Sequence, residues 1–247
     1  ASDVYKRQVW YQPIYQMKAG RFTAAEALVR LPDGTGGYIS AGQMIEVAER
    51  NGLVCQIGEY VIHQACTFMK EKGEALGLGR VGINLSVQQL LVEDSAAHLL
   101  ESIKKTGVQP GQVVLEITET ILIQFMSKAE GIIRDLSENG IRISLDDFGI
   151  GYSSLNYLMN LPVHSLKIDR SMTSKINGSP KQYALLKAII AMAKVNDIEV
   201  VVEGVENEEE RRAIIDAEAD YIQGFYYSKP LPQTELELFL TGFAVRD

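Results

Sequence analysis

The sequence predicts an α/β protein with a TIM-type (β/α)8 barrel. Short runs rich in β-branched residues alternate with longer segments of helical periodicity, and this alternation indicates repeated βα units. Eight such strands fit within 247 residues, which is the size of one barrel of this type. An open doubly wound sheet would show the same alternation, so the pattern alone leaves it as the alternative.

The elements follow one another without a dividing linker. In order, the predicted strands are Val9–Tyr15, Thr23–Leu31, Arg80–Ser86, Val113–Thr118, Arg142–Asp146, Ser165–Asp169, Glu199–Glu203 and Tyr221–Gln223. The predicted helices include Ala41–Asn51, Gly58–Lys72, Ser95–Thr106, Lys128–Asn139, Lys181–Asn196 and Glu208–Ala217. The segment Leu31–Ile39 is rich in turn residues but short, so it is interpreted as a loop. We therefore expect one domain over residues 9–247, with residues 1–8 as a tail or the remnant of a linker.

Composition limits the kinds of partner and the cellular location that are expected for this protein. The net charge of −8 argues against a protein that coats DNA or RNA, which would present a basic face. An acidic protein can still bind a phosphate ester if metal ions bridge the like charges. No apolar run approaches the roughly 18 residues that span a bilayer, and the first residues show no signal-peptide pattern. We expect no membrane insertion and either a cytoplasmic protein or the cytoplasmic domain of a longer signalling protein.

Cysteine and histidine provide no pattern for catalysis or zinc binding. Cys55 and Cys66 lie in an apolar helical stretch without a second pair nearby, and buried reduced thiols are expected. The three histidines are scattered along the chain, so each is interpreted as structural.

Polar residues lie at or near the carboxyl ends of the predicted strands, where a barrel brings side chains to one mouth. These residues are Glu26, Asn84, Glu116, Asp146, Asp147, Lys167, Asp169, Glu203 and Gln223. Glu26 is flanked by apolar residues, and a lone carboxylate there would be costly without a partner. Asp169 is better explained as the cap of the next helix or as a partner of Arg170.

The residue types at this mouth suit a divalent cation. Three carboxylates and one amide oxygen form an oxygen-only set that favours Mg²⁺ or Mn²⁺: Glu26, Asn84, Glu116 and Asp146. The adjacent pair Asp146 and Asp147 could serve two ions, and paired ions can activate water for attack on a phosphodiester. Lys167 could orient that water or offset charge on the phosphate, and Glu203 could complete the second site or accept a proton.

Together these residues resemble the EAL-domain family of cyclic di-GMP phosphodiesterases. The namesake motif is Glu26-Ala27-Leu28-Val29-Arg30. The other similar motifs are Tyr11-Gln12-Pro13-Ile14, Asn84-Leu85-Ser86, Glu116-Ile117-Thr118-Glu119, Asp146-Asp147-Phe148-Gly149, Lys167-Ile168-Asp169, Glu203-Gly204-Val205-Glu206, Gln223-Gly224-Phe225 and Ser228-Lys229-Pro230-Leu231. The resemblance extends over the chain from about Val9.

The resemblance implies a TIM-type barrel whose first strand is antiparallel to the others. It implies two metal ions, Mg²⁺ or Mn²⁺, with Glu26, Asn84, Glu116 and Asp146 as ligands of one ion and Asp146 and Asp147 as ligands of the other. It also implies catalytic roles for Lys167, Glu203 and Gln223, substrate contacts from Gln12 and Arg30, and anchoring of the loop after the fifth strand by Glu119. The implied reaction is the hydrolysis of cyclic di-GMP to linear pGpG.

Two other functions stay open beside this one. A non-catalytic cyclic di-GMP receptor would share the binding residues, although none of the metal-site residues is missing here. A barrel metalloenzyme that acts on another phosphoester would share the metal ligands. The sequence departs from common family residues at Leu31 and Ile150, neither of which is a ligand. A homodimer through the loop and helix after residue 147 is also expected, through apolar residues Tyr152, Leu155, Tyr157, Leu158 and Met159.

Overall fold

The chain forms a closed barrel surrounded by helices. The structure, a computed structural model, describes residues 7–149 and 160–244. Its strands are β1 Gln8–Gln16, β2 Arg21–Arg30, β3 Arg80–Asn84, β4 Val113–Thr118, β5 Arg142–Phe148, β6 Ser165–Ile168, β7 Glu199–Val202, β8 Tyr221–Ile222 and β9 Leu231–Pro232. Its α-helices are α1 Ala41–Arg50, α2 Val54–Phe68, α3 Val87–Leu91, α4 Ser95–Thr106, α5 Glu119–Glu138, α6 Arg170–Thr173, α7 Pro180–Val195, α8 Glu208–Asp216 and α9 Gln233–Ala244.

Strand pairing confirms the predicted barrel and excludes the open sheet. Strands β2 to β8 pair in sequence order, and each of these pairs is parallel. Strand β1 is antiparallel to both β2 and β8, so it closes the barrel. The short strand β9 extends the sheet by pairing with β1. The antiparallel first strand implied by the resemblance is therefore present.

The main apolar core lies between the barrel and the helices rather than inside the barrel. Outward-facing residues of the strands, such as Ala25, Val81 and Ile83, are buried in this layer. A fully buried valine, leucine or isoleucine side chain contributes about 1.5–3 kcal/mol to folding. Inside the barrel, the buried apolar cluster consists of Ile14, Val201 and Tyr221. Much of the barrel interior is consequently available to polar groups.

Several predicted helix bounds are wrong. The helix predicted over Lys128–Asn139 corresponds to the second half of α5. This helix begins earlier, at Glu119, and it includes the apolar residues directly after β4. A non-helical residue at Phe125 divides α5, and this break hides its continuity in the sequence pattern. Helix α2 begins at Val54, before the predicted Gly58, and α9 was not predicted.

Some expectations concern residues outside the described ranges. The apolar residues proposed for a homodimer, and Ile150, fall within 150–159, so the structure describes none of them. Of the predicted tail, Gln8 already belongs to β1. Within residues 7–149 and 160–244, no helix is both long and apolar enough to cross a membrane.

Candidate active site

A buried lysine is the centre of the candidate site at the carboxyl ends of the strands. Lys167, on β6, is 2% exposed. Its Nζ lies 2.8 Å from Glu116 Oε2 on β4, 2.8 Å from Glu203 Oε1 after β7, 3.2 Å from Glu26 Oε2 on β2 and 3.6 Å from Asp146 Oδ1 on β5. Residues from four other strands or strand ends thus converge on one ammonium group, as their positions at the barrel mouth predict.

The cluster carries more negative than positive charge, and the pKa values reflect this excess. Burial acts to lower the pKa of Lys167, but the surrounding carboxylates raise it well above its usual range, so the ammonium is retained. Burial, followed by the neighbouring acids, raises the pKa of Glu116 well above its usual value and that of Glu203 to about 7. One ammonium therefore does not neutralise four carboxylates at this position.

Glu26 is held differently from the other acids because amide groups donate to both of its oxygens. Asn84 Nδ2 lies 2.7 Å from Glu26 Oε1, and Gln223 Nε2 lies 2.6 Å from Glu26 Oε2. Burial acts to raise the pKa of Glu26, but Lys167 and these amide donors outweigh it and lower the pKa. Gln223 Nε2 also donates to Gln12 Oε1 at 3.1 Å, and Gln12 Nε2 donates to the Ser228 carbonyl at 3.1 Å. The amide chain fixes the orientation of the Glu26 carboxylate.

Asp146 and Asp147 lie on an irregular part of β5. The pairing register with β6 shifts between Leu145 and Phe148, as in a β-bulge, which re-aims side chains next to many active sites. Asp147 has a φ of 57°, in the left-handed region that non-glycine residues seldom adopt. Its backbone N–H donates to Asp146 Oδ1 at 2.8 Å. Burial, then Asp146, raises the pKa of the half-buried Asp147.

The donor set fits divalent cations in its chemistry, although the side chains face Lys167 instead of a common metal position. Within the described ranges, no three histidine, cysteine or acidic side chains have the geometry of a metal site. The carboxylates are nevertheless hard oxygen ligands with an excess of negative charge. In addition, Gln223 Oε1 is buried here without a hydrogen-bond partner.

A cleft of about 260 Å³ opens above this cluster. Besides the clustered acids, its lining includes Gln12, Arg170, Glu206 and Phe225. Arg170 forms an ion pair with Glu206 at 2.8 Å, and Phe225 is 51% exposed. The sequence patterns had not singled out Arg170 or Phe225 as site residues.

Two of the expected site residues lie outside the lysine cluster. Arg30 contacts Trp10, with its guanidinium carbon 5.7 Å from the ring centroid, and it lines a neighbouring apolar cavity together with Asn84. Glu119 is the buried first residue of α5.

Asp169 caps α6, because its Oδ1 accepts the Ser171 N–H at 2.7 Å, which confirms its interpretation as a helix cap.

One close contact at the site was not apparent from the sequence. Gly82 on β3 faces Glu116, and a Cβ atom at this position would lie 2.1 Å from Glu116 Oε1. A glycine is therefore required for the observed position of that carboxylate. The need for glycine at this position becomes visible only from the cross-strand register. This register pairs Glu26 with Gly82 and Asn84 with Glu116.

Comparisons with known proteins agree with the geometry. Signaling protein YkoW of Bacillus subtilis (strain 168) is 36% identical over 93% of this chain and 29% of its own length. Cyclic di-GMP phosphodiesterase NbdA of Pseudomonas aeruginosa is 34% identical over 96% of this chain and 30% of its own length. The chain thus spans about a third of these curated relatives. The solved structure described as PaMucR phosphodiesterase, c-di-GMP complex, has a TM-score of 0.88 at 31% identity, covering 94% of this chain and 95% of that one. The sequence model of the EAL domain matches residues 5–230, and the chain therefore belongs to the EAL domain family.

Proposed function

We propose that this chain is a phosphodiesterase that hydrolyses cyclic di-GMP to linear pGpG in the presence of Mg²⁺ or Mn²⁺. The observation that carries the proposal is the convergence of acids from four strands or strand ends around Lys167 at the barrel mouth. Similar proteins include NbdA, which is named as a cyclic di-GMP phosphodiesterase, and PaMucR, whose structure is described as a c-di-GMP complex.

The proposed metal ligands are the oxygen donors of the mouth: Glu26, Asn84, Glu116, Asp146 and Asp147. When bound, two divalent ions would supply an activated water and stabilise negative charge on the phosphate. Asn84 fits this set because its Nδ2 already donates to Glu26, which leaves Oδ1 to act as an acceptor. The excess negative charge of the cluster supports binding of cations over binding of a bare phosphate.

Lys167 and Glu203 have complementary roles in the proposed reaction. The Lys167 ammonium would offset the charge that develops on the attacked phosphate and orient the water. Glu203, with a pKa raised to about 7, could accept the proton that the water releases. The water oxygen forms a bond to phosphorus while one P–O ester bond breaks, and the departing ester oxygen takes up a proton and becomes a hydroxyl. Opening a single ester bond gives the linear dinucleotide.

The remaining expected residues would position substrate and ligands. Gln223 and Gln12 hold the Glu26 carboxylate through their chain of hydrogen bonds, and Gln12 also faces the cleft. Arg30 would contact a substrate phosphate from the neighbouring cavity. Glu119 would anchor the loop after β5.

Incubation with cyclic di-GMP and Mg²⁺, followed by chromatography of the products, tests this function directly. We expect pGpG from the unaltered chain and none from Glu26→Ala, because the variant loses a ligand that two amides orient. Glu130→Ala is the matched control, since Glu130 pairs with Arg134 on the exposed side of α5. Binding of cyclic di-GMP without cleavage would favour the receptor. Cleavage of other phosphodiesters but not of cyclic di-GMP would favour a different substrate.

A further inference from the structure

Another cavity opens at the amino-terminal face of the barrel, opposite the candidate active site. We call it the basal cavity, and it measures about 350 Å³. It extends along the barrel axis as far as Glu116 and Lys167. TIM-type barrels usually fill this space with layers of bulky branched side chains. Here much of the intervening wall is small, formed by Ala24, Gly82, Ser144 and Ser165.

The entrance of the basal cavity contains more positive than negative charge. Arg80 Nη1 and Arg142 Nη2 both contact Glu199 Oε2, at 2.5 and 2.7 Å. Glu199 Oε1 accepts a hydrogen bond from the Tyr221 hydroxyl at 3.2 Å. A single carboxylate therefore lies between two guanidinium groups, and one unit of positive charge is left over. Arg80, Glu199 and Arg21 line this cavity, and Arg142 adds its charge through its contact with Glu199.

The arginines are placed so that a ligand can reach them. The side chains of Arg80, Arg142 and Glu199 are 31%, 24% and 30% exposed. A guanidinium group has five N–H donors in a planar fork that matches a carboxylate or a phosphate. In each arginine, one terminal nitrogen donates to Glu199, so further donors can turn toward a ligand.

The wall above the arginines favours a ligand with a short apolar body. Ile14 and Val201 belong to the buried apolar cluster inside the barrel, and both line the basal cavity together with Val114. An inorganic ion would leave this apolar surface uncovered. A carboxylate that carries a few carbon atoms would cover it while its charged end stays at the arginines.

From these features we propose that the basal cavity is a binding site for a small organic acid, whose carboxylate contacts Arg80 beside Glu199, where Arg21 and Arg142 add positive charge. Arg80 and Glu199 are the first residues of β3 and β7, at the opposite end of the barrel from the cleft above Lys167, and the site does not depend on the proposed phosphodiesterase activity. A ligand bound there would reach toward the lower side of Glu116 and Lys167, because these residues line the same cavity.

Calorimetric titration with butyrate, acetate and inorganic phosphate tests the site. Metal is removed beforehand on a solid chelating resin, so that no dissolved chelator carboxylate competes, and the titration is run at constant ionic strength in a cationic buffer. We expect saturable binding of one butyrate per chain. Each buried methylene strengthens binding about fourfold, so butyrate should bind roughly fifteenfold more tightly than acetate. Phosphate should bind more weakly than butyrate.

Two substitutions have opposite expected effects, which separates ligand binding from damage to the fold. Arg80→Gln should weaken butyrate binding at least tenfold, because one guanidinium is lost. Glu199→Gln should strengthen it, because the competing charge is removed while the amide oxygen still accepts from Tyr221. Arg134→Gln is the matched control and should leave binding unchanged, since Arg134 pairs with Glu130 on the outer surface.

The proposal is overturned if neither the unaltered chain nor Glu199→Gln binds butyrate saturably. It is also overturned if Glu199→Gln binds more weakly, or if phosphate binds as tightly as butyrate. Should Arg80→Gln fail to fold by circular dichroism, Arg142→Gln takes its place. Unchanged affinity in the folded arginine variant would equally exclude the site.

Discussion

Substitution of Lys167 separates catalysis from binding more sharply than any other change at the mouth. Lys167→Met keeps the length and apolar stem of the side chain but removes the ammonium group. In the structure this ammonium lies 2.8 to 3.6 Å from four carboxylates. Interactions that strengthen in the transition state affect kcat more than binding, and loss of one such stabiliser typically costs about 10²–10³-fold in rate. We therefore expect pGpG release to fall by this factor.

The same substitution has a second consequence for the metal-free protein. Removing one partner from a buried charge cluster leaves uncompensated charge, which costs about 3–5 kcal/mol. For a domain of this size that cost corresponds to a fall in Tm of about 6–20 °C. Mg²⁺ should recover part of the loss, because cations bound by the native state stabilise it and offset the excess negative charge.

Three measurements check these expectations. Calorimetry with Ca²⁺ gives the affinity for cyclic di-GMP, chromatography with Mg²⁺ gives the rate, and thermal unfolding with and without Mg²⁺ gives Tm. Lys194→Met is the matched control, since Lys194 forms an exposed ion pair with Glu218 at 3.0 Å. If affinity and rate decrease together, Lys167 is a binding residue. If neither changes, its ion pairs are only structural and the reasoning is wrong.

Four further predictions follow from the site and its surroundings. Mg²⁺ or Mn²⁺ should support turnover and Ca²⁺ should not, because Ca²⁺ prefers longer bonds and more ligands; comparable rates with Ca²⁺ would argue against a tight two-metal site. Gly82→Ala should reduce the rate by about 10²-fold, because its Cβ displaces the carboxylate end of Glu116, whereas Gly131→Ala, which meets no atom within 4 Å, should be neutral. Burial and then Arg142 lower the pKa of His164, whose Nδ1 accepts the Ile143 N–H at 3.1 Å, so the contribution of His164 to stability should be lost as the pH falls below 6.5, whereas the raised pKa values of Glu116 and Glu203 act in the opposite direction. The difference in Tm between the unaltered chain and His164→Asn should therefore shrink as the pH falls below 6.5, and a difference that does not change with pH would exclude this role for His164. Light scattering should show a dimer if residues 150–159 form the proposed interface, and a monomer at working concentration would reject it.

The carboxyl-end residues could be predicted because strand periodicity and barrel topology act together. Once the alternation of strands and helices identifies a parallel barrel, side chains at the strand ends must meet at one mouth. Glu26 and Lys167 are 141 positions apart in the sequence, yet both strands end at the same face and their side chains lie 3.2 Å apart. This reasoning uses only the direction of the strands, so it does not depend on side-chain geometry.

Contacts that depend on register and rotamer could not be predicted in the same way. The orientation of Glu26 is set by Asn84 and Gln223, whose amide nitrogens approach opposite oxygens of one carboxylate. A one-residue shift in register would move every such side chain to the other face of its strand. The sequence pattern likewise did not reveal α9, whose buried residues Leu236 and Leu240 pack in the outer core.

The distribution of charge inside the barrel explains how the fold tolerates so polar a centre. The mouth contains an excess of acids around Lys167, while the base contains an excess of arginines around Glu199. Buried charges such as those around Lys167 seldom stabilise a protein relative to apolar packing. The stability must therefore come from the apolar layer between the strands and the helices, which is separate from the barrel axis. Because the two regions are separate, substitutions along the axis can alter binding and catalysis while the outer layer continues to hold the barrel closed.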